Sequence, residues 1–134
     1  MTVTPIDLFS DAIRLHEDGH ALAGRRSFDP TKAGWQLMAF RAKTDADVHA
    51  DHWELHEDAE EVVSCLDGAI RLYFRGESSG DEESSGDEEE VRLAAGSAVI
   101  VPRGRWHRIE LDEPSDIMAI TVRRGTRLQK RTED

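Results

Sequence analysis

His107 opens a strand-like run directly after a Pro-x-Gly turn, in the segment Gly96-Ser-Ala-Val-Ile-Val-Pro102-Arg-Gly104-Arg-Trp-His107. Pro102 fixes φ and has no N–H to give to a ladder, and Gly104 admits backbone conformations closed to other residues. The chain must therefore reverse there and project the imidazole from a rigid base. Upstream, Glu54, His56 and Glu61 follow the spacing Glu-x-His-x4-Glu, with Gly68 seven residues after Glu61. Side chains alternate along a strand, so Glu54 and His56 share a face with His52, while Trp53 and Leu55 take the other. Glu61 starts the run Val62-Val63-Ser64-Cys65-Leu66, which reads as a buried strand. An acid at the mouth of such a strand is costly unless a cation pairs with it.

Two imidazoles with one or two carboxylates form a donor set that holds iron, manganese, nickel or zinc with coordination positions left open. His56, Glu61 and His107 are therefore candidate ligands of one divalent transition metal. Glu54 is a candidate fourth ligand or the general base of a reaction, with His52 or water as the other occupants of its place. If Glu54 binds, a divalent ion becomes formally neutral, which lowers its Lewis acidity and favours harder metals.

These two segments resemble the paired motifs of the cupin superfamily. The second motif, G-x5-P-x-G-x2-H, is matched at every fixed position from Gly96 to His107, and the first is matched with Glu54 standing where the family has its first histidine. The family places an asparagine four residues after the last histidine, where this chain has Leu111. The resemblance covers roughly residues 35–123. It implies a small single-domain cupin: a jelly-roll β-barrel that binds one divalent metal and acts on a small organic molecule as a dioxygenase, isomerase or related enzyme. A non-catalytic module that binds or senses a small molecule is the other reading, since a fold does not imply a function.

The elements that must position these residues are legible as short runs rich in β-branched residues, separated by Gly, Pro and Asp clusters. Strands are expected at 35–42, 52–56, 61–66, 69–75, 90–93, 97–101, 106–111 and 117–123. Asp67-Gly68 carries the signal of a tight hairpin. Before them, Ile6, Phe9 and Ile13 fall on one helical stripe, with Asp7 acidic in the first turn, so a short N-terminal helix is expected over 5–17. The fold class is all-β, a jelly-roll barrel with that short helix. Residues 1–34 form the helix and lead-in, 35–123 the barrel, and 124–134 a solvated basic tail.

Residues 78–89 read Ser-Ser-Gly-Asp-Glu-Glu twice, with nothing apolar to bury, which predicts a disordered acidic loop over 77–90 at a hairpin tip. Of the formal charge of −11, eight negative charges lie in that segment, and the rest of the chain carries −3. No clustered basic surface suggests nucleic acid or an anionic membrane as partner. Cys65 is the only cysteine, so no intrachain disulfide can form; it alternates with Val63 and should be buried and inert. No apolar stretch nears the roughly 20 residues needed to span a bilayer, and the reading is a cytoplasmic, soluble protein.

His16-Glu17-Asp18-Gly19-His20 also fits the H-E-x-x-H pattern of helix-borne zinc proteases. Gly19 would weaken the helix that must hold both histidines on one face, and no third ligand follows. Trp35, Trp53 and Trp106 read as core or interface packing, with Trp106 the best candidate for a pocket rim. Arg103 reads as a solvated turn residue. A homodimer is expected, with Trp53 and Leu55, facing away from the metal, as its interface.

Overall fold

A computed structural model describes residues 2–76 and 88–132 of the chain. Among the described residues, eleven strands form two antiparallel sheets. The first contains β1 (Ala12–Leu15), β2 (Ala21–Gly24), β3 (Trp35–Ala42), β5 (Glu61–Asp67), β8 (Ser97–Val101) and β10 (Ser115–Val122), in the order β2-β1-β3-β10-β5-β8. The second contains β4 (His52–His56), β6 (Ala69–Arg75), β7 (Glu88–Ala94), β9 (His107–Leu111) and β11 (Thr126–Lys130), in the order β11-β4-β9-β6-β7. Their facing sides bury Val63, Cys65, Ile70, Leu72, Phe74, Val101 and Ile117 in one core cluster. These residues alternate with outward-facing ones, as a pleated strand requires. The result is the expected jelly roll.

The N-terminal helix is not formed. The chain makes a single turn at residues 8–10, where Asp7 Oδ1 accepts from Phe9 N at 2.9 Å, and then extends into β1. β1 pairs with β3 through Ile13↔Leu37 and Leu15↔Trp35. The long edge of β3 would otherwise leave its N–H and C=O groups unpaired, and that demand overrides the helical stripe. The C-terminal tail is likewise no free terminus: β11 pairs along all of β4, from Thr126↔His56 to Lys130↔His52.

Asp67-Gly68 makes a turn but no hairpin. β5 and β6 lie in different sheets, so the chain crosses there from one layer to the other. Gly68 has φ +90°, and a Cβ on it would lie 2.3 Å from Ser115 Oγ and 2.5 Å from Pro114 O. The Ser115 hydroxyl meets both backbone groups of Ala69, its oxygen accepting from the N–H at 3.1 Å and lying 3.2 Å from the carbonyl. The hairpin that does carry the acidic repeat is β6–β7, whose register runs from Ala69↔Ala94 to Arg75↔Glu88. Glu88, Glu89 and Glu90, at the end of the expected loop, are strand residues; the rest of it, residues 77–87, lies outside the described part of the chain.

Trp53 and Leu55 do face away from Glu54 and His56, but they are 0% and 4% exposed and cannot form an interface. On the outer side of the second sheet, arginines and rings alternate. Arg71 lies over Tyr73 and Arg108 reaches both Tyr73 and Trp53, at 5.7, 4.2 and 5.2 Å from the ring centroids. Arg75 then bridges Trp53 and Trp106 at 4.8 and 5.0 Å, and Arg127 lies over Trp106 at 5.4 Å. Each desolvated contact of this kind contributes about 1–2 kcal/mol. Acids on the same face neutralise the cations: Asp112 lies 2.7 Å from Arg71 and Glu88 3.6 Å from Arg108. Strand β4 is thus covered on its outer face, while on its other face His56 is buried and His52 and Glu54 are half-buried.

Candidate metal centre

Three of the four candidate ligands stand on the second sheet and one on the first. Glu54 and His107 are register partners across β4 and β9, and His56 ends β4 two residues later on the same face. Glu61 opens β5 opposite Val101. The Pro-x-Gly turn is tied to this end of the barrel by Gly104 N, which donates to His56 O at 2.8 Å, and Gly104 adopts φ +71° as its position requires.

One donor atom from each of Glu54, His56, Glu61 and His107 falls within 4.8 Å of all the others. His56 Nε2 lies 2.9 Å from Glu54 Oε1 and 3.2 Å from Glu61 Oε1, and His107 Nε2 lies 3.3 Å from Glu61 Oε1. Ligands at about 2.1 Å from a common ion are separated by about 3.0 Å at octahedral and about 3.4 Å at tetrahedral angles. The three contacts fall close to that interval. His56, Glu61 and His107 are buried, while the Glu54 side chain is 30% exposed and forms the outer rim. His56 Nε2 is buried with no well-directed hydrogen bond among the described residues, as expected of a lone pair aimed at a shared centre. The donor set fits a divalent transition metal.

Both rings are oriented from behind. The Nδ1–H of His107 faces Arg105 O at 3.1 Å and can only donate to it, which leaves Nε2 as the ligand atom. His56 Nδ1 meets Thr126 Oγ1 at 3.0 Å, a contact supplied by β11. Burial opposes the charge of Glu61, but His107 and His56 outweigh it and hold the carboxyl well below the ordinary carboxylate range. The Glu54 carboxyl is likewise lowered, mainly by His56 against the effect of burial.

Burial also pulls the His56 imidazole towards neutrality, yet Glu54 and Glu61 prevail and raise its pKa from 6.5 to about 9. Protonation therefore stabilises the folded, metal-free chain fully below pH 6.5, and this contribution is lost as pH rises through about 9. A metal needs the neutral ring, so between these limits metal binding must expel a proton. Titration of metal into the metal-free protein near neutral pH should release close to one proton from His56, falling towards none above pH 9. Calorimetry in buffers of different ionisation enthalpy reads this number, and zero protons at neutral pH would mean a ring that is already neutral.

The remaining sequence candidates lie elsewhere. His52 pairs with Asp51 at 2.9 Å and stands outside the quartet. His16 and His20 are exposed on the β1–β2 turn, joined through His16 N to His20 O, and not on a helix. Leu111, where the resemblance would place asparagine, packs against the core cluster. Arg103 is exposed, and with Pro102, Arg105 and Trp106 it lines a cavity of about 180 Å³ on the outside of the turn. Cys65 is buried, as expected. Thr126 and Arg123 are neighbours of the quartet that the sequence did not single out. Arg123 Nη1 lies 3.7 Å from Glu54 Oε1, and the only signal for it was a cation next to a strand end.

Comparison with known proteins identifies the family of the chain. Residues 43–123 match the family model described as a cupin domain. No curated protein matches the chain significantly. Among solved structures, a cupin-2 domain containing protein from Shewanella frigidimarina is similar at 22% identity over 66% of this chain and 70% of its own, with a TM-score of 0.48. Hydroquinone 1,2-dioxygenase from Sphingomonas sp. TTNP3 is 14% identical over 66% of this chain and 59% of its own, TM-score 0.49. Hydroxypropylphosphonic acid epoxidase from S. wedmorenis is 14% identical over 65% and 43%, TM-score 0.48. The chain thus spans less than two thirds of the length of either enzyme. No helix among the described residues is long and apolar enough to cross a membrane.

Proposed function

Starting from the cupin family, to which this chain belongs by its match over residues 43–123, we propose a small metal-dependent enzyme. It binds one divalent transition metal through Glu54, His56, Glu61 and His107 and acts on a small organic molecule at the barrel mouth. The observation that supports this reading best is the convergence of four donor atoms within 4.8 Å at a largely buried site. When bound, the metal supplies an open coordination position for polarising a carbonyl or activating oxygen. Two carboxylates favour iron or manganese, with nickel and zinc as further candidates.

The protein's own residues do the rest. His107 and His56 present Nε2, each held by its Nδ1 contact, and Glu61 anchors both from the opposite sheet. Glu54, partly exposed at the rim, is either the fourth ligand or the base that takes a proton from substrate. The filled barrel interior below the site, closed by Phe74 and Leu72, confines substrate to the mouth.

Assembly belongs to the same reading. Ile13, Leu37, Ile120, Val62 and Ile100 are register partners in one row across five strands of the first sheet, on its outer side. Ile100 is 62% exposed. We assign this row to contact with a second copy, in place of Trp53 and Leu55.

The test is to purify the chain without a histidine tag, quantify bound metals by mass spectrometry and measure solution mass by light scattering. About one equivalent of iron or manganese, with oxygen-dependent or isomerising turnover of some organic acid or phenol in a substrate screen, supports the enzyme. No metal after reconstitution sinks it and leaves the non-catalytic binding module, and a monomeric mass removes the dimer.

A further inference from the structure

Resting on the metal centre proposed above, we propose that Arg123 makes the barrel mouth a subsite for a small carboxylate, so that the substrate is an organic acid. Arg123 follows β10 and begins the turn that ends at Thr126, whose N–H donates to Arg123 O at 3.0 Å. The turn is pinned from outside: Arg124 N donates to Lys32 O at 2.8 Å and Gly125 N to Pro30 O at 3.1 Å. It is pinned from inside by Thr126 on His56. The guanidinium therefore stands at a fixed place relative to the metal ligands.

Its surroundings leave it incompletely satisfied. The Arg123 side chain is only 12% exposed, and the ion pair it makes, Nη1 to Glu54 Oε1, is 3.7 Å long, beyond a hydrogen bond. Nε is buried without a hydrogen-bond partner among the described residues. Phe28, itself 63% exposed, lies beside the guanidinium with its centroid 5.6 Å away and offers an apolar wall. The neighbouring cations are engaged differently: Arg124 pairs with Asp58, and Arg127 with Glu57 at 3.1 Å. A buried guanidinium has five donors in a planar fork that matches a carboxylate, and leaving them unused is costly.

Charge leads to the same ligand. Two carboxylates, two neutral imidazoles and a divalent ion sum to zero, and Arg123 adds one positive charge at the rim. A site with three histidines and one glutamate would carry that charge on the metal. Here Glu54 has cancelled it at the ion and Arg123 restores it at the rim beside Glu54, where one monoanion brings the site to neutrality.

The test uses the full chain loaded with cobalt(II), titrated with glycolate and with its neutral analogue glycolamide, and followed by the visible cobalt bands. Cobalt content and folding are checked in parallel. Glycolate should bind more tightly than glycolamide, and Arg123→Met should weaken glycolate about 10- to 100-fold with cobalt content unchanged, while Arg123→Lys recovers part of the loss. Glycolamide binding should not move. Equal glycolate affinity in the parent and Arg123→Met, or no preference over glycolamide, overturns the subsite and leaves the metal centre standing. Loss of cobalt in both Arg123 variants reassigns the residue to holding Glu54, which also overturns it. A parent protein that takes up no cobalt removes the metal reading and the subsite together.

Discussion

His107→Ala is expected to lower bound metal from about one equivalent to near zero, and His56→Ala to do the same. In the proposed site each histidine supplies one of at most four donors, and removing the partners that merely orient a ligand already costs 10- to 100-fold in affinity. Loss of the ligand itself should therefore exceed about 100-fold. The series is graded by the geometry. Thr126→Val, which removes only the hydroxyl 3.0 Å behind His56, should fall in the 10- to 100-fold range and leave the fold intact. Glu61→Gln separates two effects, because its Oε1 contacts both imidazoles. It should lose metal and also destabilise the metal-free protein near neutral pH, where a buried His56 cation would keep only Glu54. Elemental analysis beside thermal melts of metal-free protein distinguishes the members. Full metal occupancy in His107→Ala would mean that the ion sits elsewhere.

Gly68→Ala should be the most damaging single substitution of a non-ligand residue, lowering stability by about 3 kcal/mol or more through two additive mechanisms. The residue has φ +90°, a region that an L side chain enters only with strain. Its added methyl would also meet backbone, Pro114 O at 2.5 Å and Ser115 Cα at 2.9 Å, neither of which can rotate away. Ser115 Oγ, at 2.3 Å, would have to leave its contacts with Ala69 N and O. Chemical denaturation of the variant reads the change directly, and a loss below 1 kcal/mol would show that this corner can shift. Ser115→Ala separates the strain from the hydrogen bonds, since it removes the hydroxyl without moving the backbone.

Eight strands and the four clustered side chains were legible in the sequence for a common reason. Each strand is bounded by turn residues, Glu54 and His56 alternate along β4, and His107 follows the rigid Pro-x-Gly reversal, so local rules and the fold agree. Where they disagree, the reading failed. Ile6, Phe9 and Ile13 fit a helical stripe, but Ile13 and Leu15 also alternate, and only the open edge of β3 decides between the two. β11 has a single apolar residue, Leu128, and is 61% exposed there, so nothing in its composition reveals that backbone pairing with β4 holds it. Trp53 and Leu55 lie on the face that alternation gives them, yet Trp53 is covered by Arg75 and Arg108, cations that composition assigns to solvent, and Leu55 packs with Trp53 and Trp106. Asp67-Gly68 specifies a reversal without saying which strand will be met after it.

The covering of β4 by the arginine–ring stack on its outer face and its pairing with β11 bear on how the molecule breathes. Local opening follows the least buried, least connected segments, and β4 is neither, since the arginine–ring stack holds its outer side and β11 pairs along its length. Amide protons of β4 should therefore exchange with solvent only through openings that cost nearly the whole stability of the barrel. The 123–126 turn shares this restraint, since Arg124 and Gly125 donate to Lys32 O and Pro30 O and Thr126 pairs with His56. Arg123 and Thr126 should therefore open together with Glu54 and His56, so that the mouth keeps its geometry for as long as the barrel itself is closed.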